Sequence, residues 1–194
     1  AGVHAGHYQY VYGNSHGFLH HAQGSRHSMS CSVVAADDGG MQRDYWYDLA
    51  RSHTDLDTPE AIGRTAAERT VRRLGGRSLP TGNYPVLFDA TVAGGLIGHL
   101  VGGLSGGALY RQSSFLTDSL GTQILPEFLH LREEPHIARA LGSTYFDAEG
   151  VATAPRFVIE GGRVQGYFLS SYSARKLGMR TTANAGGAHN LHLN

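Results

Sequence analysis

His99 is the one side chain able to move a proton or ligate a metal near neutral pH in the stretch Thr91–Tyr110, TVAGGLIGHLVGGLSGGALY. That stretch holds seven glycines and no charged residue. An imidazole does either job only with converging partners, and His99 has no histidine or acidic residue within five positions on either side. A phosphate cradle is excluded: no Lys follows the glycines, as a P-loop requires, and the GxGxxG spacing is absent. Gly94, Gly98 and Gly102 stand four apart, beside a second stripe of Gly95, His99, Gly103 and Gly107. On a helix each stripe forms one face that another backbone can approach closely. Each interior glycine costs roughly 1 kcal/mol relative to Ala, so a neighbouring element must compensate. The segment therefore belongs to a site or an interface. Either His99 does chemistry, or it stands where chemistry has been lost.

Other candidates for chemistry are weaker. Zinc needs three or four converging ligands, and the 12 histidines do not supply them by spacing. His20 and His21 are consecutive on an expected strand and point to opposite faces, while His189 and His192 lie in a polar tail. Most of the histidines read as surface or hydrogen-bonded structural groups. Cys31 sits mid-strand in SMSCSVV and reads as a small packed thiol; no GxSxG elbow accompanies the serines. Asp147 and Glu149 form a carboxylate pair, but DAEG before Val151 reads as a turn.

Balanced charge, with 16 basic and 16 acidic residues, gives no broad basic face for nucleic acid. Charged residues make up 16% of the chain and glycines number 27, a pattern of extensive buried backbone. A lone cysteine fits a reducing cytosol, and AGVHAGHYQY has neither the cationic nor the apolar region of a signal peptide. Asp89 and Arg111 flank Thr91–Tyr110 without aromatic anchors, so a transmembrane reading is disfavoured. The chain opens inside an expected strand and lacks an initiator Met, which reads as a cut from something longer.

The elements that must position these residues follow from periodicity. Period-two alternation predicts strands over His7–Tyr12, Phe18–Gln23, Arg26–Ala36 and Met41–Arg51, with a turn at Gly13–Gly17 and a hairpin at Asp37–Gly40. A helix starts at Pro59, capped by Asp57 or Thr58, and ends at Gly75–Gly76. Ile62, Ala66, Ala67, Thr70, Val71 and Leu74 form its buried flank, and Arg64, Glu68, Arg69, Arg72 and Arg73 a solvated one. Tyr84–Asp89 reads as a short buried strand feeding the glycine helix. A polar loop over Arg111–Gly121, a strand near Glu127–Leu131, a hairpin of Arg156–Ile159 with Arg163–Leu169, and a helical turn at Ser171–Met179 complete the pattern. The fold class is α+β, mainly antiparallel sheet with a few helices. Two parts are expected: residues 1–80, a meander with its linking helix, and 81–194, carrying the glycine helix and the hairpin.

Five phrases carry a resemblance to the TldD/PmbA family, on its PmbA/TldE branch: PVLFDATVAGGLIGHLVGGLSGGALYRQSSFLTDSLG, FDAEGVATAPRFVIEGG, LSSYSARKLGM, GNSHG and NAGGAHN. Family members are roughly twice as long, so the resemblance makes this chain an internal piece. It implies the PmbA/TldD-like fold and a two-subunit cytosolic metalloprotease. The TldD-type subunit carries HExxxH, whose two histidines bind zinc and whose glutamate activates water. Histidines five apart are about 140° out of phase on a regular helix, so that motif needs a local distortion.

Aligned on the strand Val86–Asp89, the motif falls on Gly98–His99–Leu100–Val101–Gly102–Gly103. Gly98 and Gly103 replace the zinc histidines and His99 the glutamate. The resemblance therefore implies a non-catalytic subunit with no cofactor of its own, zinc being held by a TldD-like partner. Expected partners are that TldD-like subunit, or a second copy by self-association, and extended peptides bound by strand addition. The older family label, modulator of DNA gyrase, is the rival function, and a metallopeptidase with a different ligand set is another. Expected peptide or partner contacts are Gly98, His99, Gly102, Gly103, Tyr172, Arg175, Asn184 and His189.

Overall fold

The computed structural model describes residues 1–194. They form two compact units: Ala1–Gly13 with Leu19–Pro85, and Asn14–Phe18 with Val86–Asn194.

The first unit is a three-stranded antiparallel sheet, ordered β1-β2-β3, with one helix against it. Its strands are β1 (Gly2–Gly13), β2 (Leu19–Asp37) and β3 (Gly40–Ala50). The hairpin expected at Asp37–Gly40 is present: Asp37 pairs with Gly40, and its carboxylate accepts from the Gly39 N–H at 2.8 Å. Where alternation predicts two strands, Phe18–Gln23 and Arg26–Ala36, the chain makes one. Gly24 does not break β2, because Tyr8, directly opposite on β1, lies over it and Arg51 packs beside them. Strand β3 reaches β2 only from His27 onward. Gly6–Gly13 and Leu19–Arg26 therefore form a two-stranded ribbon beyond the sheet.

Helix α1 (Pro59–Val71) starts as its cap dictates: Thr58 Oγ1 accepts from Ala61 N–H at 3.2 Å and Pro59 takes the first position. Ile62, Ala66 and Thr70, four apart, are fully buried against β2 and β3. Burying Ile62 alone contributes about 1.5–3 kcal/mol. Two expectations on this helix fail. Val71 is exposed rather than buried. Arg69, expected in solvent, stacks over Trp46 at 5.1 Å and faces Asp44 at 3.6 Å, because Trp46 and Asp44 share the β3 face under the helix.

The second unit has a four-stranded antiparallel sheet ordered β6-β5-β4-β7. Here β4 is Leu131–Glu133, β5 Arg156–Glu160, β6 Arg163–Val164 and β7 Leu191–Leu193. Helices α2 (Ala90–Gly103), α3 (Gly106–Tyr110) and α4 (Ser171–Lys176) accompany it. Leu104, Leu109, Leu131, Val158, Ile159, Val164, Phe168 and Leu169 make the core. The turn Asn14–Phe18 belongs to this unit: Phe18 meets Phe146 edge-on at 5.1 Å, and Asn14 donates to the Glu149 carbonyl.

Four local expectations are corrected. Tyr84–Asp89 is not a strand and not buried, Leu87 being 97% exposed; Pro85 lacks an N–H, and no strand of the chain pairs with the run. The helix expected over Thr91–Tyr110 breaks at Leu104–Ser105. Phe168 bridges there, donating to the Leu104 carbonyl at 3.0 Å and accepting from Gly106 N–H at 2.8 Å. Strand β6 ends after Val164, short of the expected Leu169, the Gln165 N–H turning to the Val158 carbonyl at 2.8 Å. The strand placed at Glu127–Leu131 is shifted to Leu131–Glu133, where the tail residues Leu191–Leu193, expected to be irregular, supply its second neighbour. No helix of the chain is long and apolar enough to cross a membrane.

Candidate functional site

Helix α2 begins on Asp89, whose carboxylate accepts from Thr91 N–H at 2.9 Å. Ile97, Leu100 and Val101 pack on the core, which leaves the glycine face turned away. A Cβ built on Gly94, Gly95, Gly98 or Gly102 would meet nothing within 4 Å. His99 is exposed on the same helix. The close backbone approach that the stripes require is therefore not supplied at these positions by this chain. Tight packing occurs one helix later, at Gly106, where an added Cβ would run into the side chains of Ser173 and Leu169. Gly103 is buried, with Phe115 and Leu116 3.1 Å from a Cβ position. Val86, Leu87, Phe88, Val92 and Leu96 extend the open α2 region as exposed apolar side chains, a combination typical of contact surfaces.

Tyr172 and Arg175 lie on α4, whose N-terminus closes in a capping box between Ser170 and Ser173. The Tyr172 ring meets Tyr110 edge-on at 5.7 Å, with Lys176 over the Tyr172 ring and Arg111 over that of Tyr110. Arg175 is exposed in the last turn of α4, where a cation suits the helix dipole.

Asn184 and His189 are brought together, and two residues not anticipated from the sequence join them. Glu133 on β4 is buried and accepts from His189 Nδ1–H at 2.8 Å, His189 backbone N–H at 2.9 Å, Asn184 Nδ2–H at 2.7 Å and Arg156 Nε–H at 2.8 Å. Arg156 also donates to Asn184 Oδ1 at 3.1 Å and lies over Phe168. Burial by itself raises the Glu133 carboxyl. The His189 ring and backbone donors, the Arg156 charge and the Asn184 amide outweigh burial and hold it down at about 2. A carboxylate so satisfied is an anchor, not a proton acceptor at neutral pH. It fixes the orientation of the His189 ring through Nδ1. One signal for Glu133 was available: β4 alternates, and Leu131 and Glu133 share its buried face.

Asp147 and Glu149 form a turn, as expected. The Asp147 carboxylate accepts from Glu149 and Val151 N–H at 2.9 Å each and from Ala185 N–H at 3.0 Å. This ties the Asn184 loop down a second time.

Gly98 and Gly103 have no donor atom, and His99 stands alone on an exposed face. No group of three His, Cys, Asp or Glu side chains is arranged to hold a metal ion. The residues of α2 do not fit a zinc centre.

Comparison with known proteins bears on the same regions. Residues 2–74 match the PmbA/TldA metallopeptidase central domain and residues 81–194 the C-terminal domain of that family. Metalloprotease PmbA of Escherichia coli O157:H7 is 50% identical over 183 residues, which is 94% of this chain and 41% of that protein. The PmbA homologue of Haemophilus influenzae is 46% identical over 93% of the chain and 40% of its own length. The chain thus spans less than half the length of the curated relatives it matches. Among solved structures, a proposed modulator of DNA gyrase from Bacteroides thetaiotaomicron superposes with a TM-score of 0.93 at 30% identity, over 99% of this chain and 44% of that one. TldE of Thermococcus kodakarensis superposes at 0.74 with 24% identity over 98% of this chain and 45% of that one, a likeness of fold.

Proposed function

The chain belongs to the PmbA/TldD metallopeptidase family, and from that premise we propose that it is a PmbA/TldE-type subunit that does not itself hydrolyse peptide bonds. Catalysis then resides in a TldD-like partner that holds the zinc, and this chain helps enclose an extended peptide in the cytoplasm. The observation that carries the reading is α2. Glycine occupies both positions where the motif needs ligands, and His99 occupies the position of the carboxylate base. The glycine face is open in this chain, which supports an approaching partner or peptide backbone there. Exposed Tyr172 and Arg175 offer further contacts, whereas Asn184 and His189 act by fixing the loop that bears them.

The test is peptide cleavage by the chain alone, by a TldD-like chain alone and by the two together, with folding followed by circular dichroism. The pair is expected to cleave and this chain alone to be inert. Cleavage by this chain at the rate of the pair sinks the reading. The names of solved neighbours raise a second reading, regulation of DNA gyrase. Direct capture of gyrase by this chain, without any TldD-like protein, would favour it; the balanced charge argues against contact with DNA.

A further inference from the structure

Two cations lie over two aromatic rings where α3 and α4 pack together. Arg111 is over the Tyr110 ring at 5.3 Å and Lys176 over the Tyr172 ring at 5.7 Å, and the rings meet edge-on at 5.7 Å. A third cation, Arg175, follows Tyr172 by three residues and so shares its side of α4. Arg111, Arg175 and Lys176 are exposed, and none is ion-paired with a carboxylate of this chain. The carboxylate that reaches α4, Glu149, is occupied at the other end of the helix, accepting from Ser171 N–H at 2.8 Å.

The two segments that build this face carry no acid. Residues 90–117 and 161–194 contain no Asp or Glu, in a chain that has 16 of them. The helix dipole suits cations at the ends of α3 and α4, but it does not account for the lack of any acidic counterpart. A ring beneath a cation holds it in place without neutralising it. The Arg111 guanidinium is thereby pre-positioned for a planar acceptor with two oxygens. Both rings are engaged by cations and meet at 81° rather than side by side, which is not a platform for stacked bases.

We propose that this face recognises acidic side chains, Asp or Glu, on the extended peptide that the chain helps enclose; the inference rests on the proposed function and names its substrate class. Arg111 and Arg175 each offer a fork of N–H donors to a carboxylate, and Lys176 offers a point charge. Peptides with closely spaced acidic residues are then held better than neutral or basic ones. The preference weakens as salt screens the exposed charges.

The test is fluorescence anisotropy with labelled peptides of equal length, rich in Glu, Gln or Lys, and with a single-stranded oligonucleotide. Each is titrated with the 194-residue chain, alone and paired with a TldD-like chain. The Glu-rich peptide is expected to bind more tightly than the Gln-rich one by about tenfold or more, with the difference shrinking at high salt. The triple substitution Arg111→Gln, Arg175→Gln and Lys176→Gln should abolish that difference and leave Gln-rich binding unchanged. Arg64→Gln, which removes an exposed cation from α1, should leave the difference intact. Should the triple variant misfold, Arg175→Gln should reduce the difference and Arg175→Lys should restore part of it. Equal affinity for Glu-rich and Gln-rich peptides overturns the proposal, as does tighter binding of the oligonucleotide or an equal loss from Arg64→Gln. Those outcomes leave the proposed function standing, whereas cleavage by this chain alone sinks that reading and not the binding preference.

Discussion

Two donors from His189, its ring Nδ1–H and its backbone N–H, converge on one carboxylate oxygen of Glu133, at 2.8 and 2.9 Å. A loop residue and a strand residue are thereby joined twice, and Arg156 and Asn184 fill the other positions around the carboxylate.

The pH dependence follows from that arrangement. The Glu133 carboxyl is held at about 2 in the folded chain against 4.5 ordinarily. The unfolded chain therefore takes up the proton first as acid is added. The stabilisation is fully present above about pH 4.5 and is lost as the pH falls toward 2, on the order of 3 kcal/mol in all. Urea titrations at stepped pH should show this decline. Glu133→Gln should lower stability at neutral pH by about 3 kcal/mol and flatten the acid limb. An unchanged acid limb in Glu133→Gln would assign the effect to other groups.

Glycines on one segment should respond in opposite directions. Gly98→Ala meets open space and should raise thermal stability by about 0.5–1 kcal/mol through helix propensity. Gly106→Ala drives a methyl into Ser173 and Leu169 and should cost about 1–3 kcal/mol. If the open face receives a partner or peptide, Gly98→Ala should also slow cleavage by the pair while stabilising the chain. Thermal melts and the paired cleavage assay separate the two effects.

His99→Ala should change stability by less than about 0.5 kcal/mol, as for an exposed side chain. Cleavage by the TldD-like partner in its presence should persist, reduced at most by weakened contact. Complete loss of cleavage in a folded His99→Ala chain would give His99 a chemical role and contradict the proposed function.

Gly162 adopts φ +73°, and a Cβ there would strike the Leu125 carbonyl oxygen and the Gln123 side chain. Gly162→Ala should destabilise by about 3 kcal/mol or more, since positive φ and a backbone clash add. Gly178→Ala, with φ +66° but open space, should cost only about 1–2 kcal/mol. Comparing their denaturation midpoints isolates the clash.

Features decided within a few residues were legible in the sequence: the Thr58–Pro59 helix start, the Asp37–Gly40 hairpin and the Glu160–Gly162 turn. Features decided by distant partners were not. Gly24 reads as a strand breaker until Tyr8 is seen to cover it. Leu104–Ser105 reads as helix until Phe168 claims its backbone. Of the candidate site, the two glycine stripes of α2 were readable, but not that no element of this chain covers Gly94, Gly95, Gly98 or Gly102. The Glu133 network was not, because alternation on β4 marks Glu133 as inward-facing but says nothing of partners 51 and 56 positions away.

The same separations govern when the Asn184–His189 loop can become ordered. Its anchors reach back 51 residues to Glu133 from Asn184, 56 from His189, and 38 to Asp147 from Ala185. The β4–β5 pair closes over a shorter separation, Glu133 and Arg156 being 23 residues apart, so the loop is expected to order after it. By the same logic it is an early departure in local opening. Amide exchange at Ala185 and His189 should therefore run ahead of exchange in β5, the loop being a hinged surface fastened by two buried carboxylates, Glu133 and Asp147.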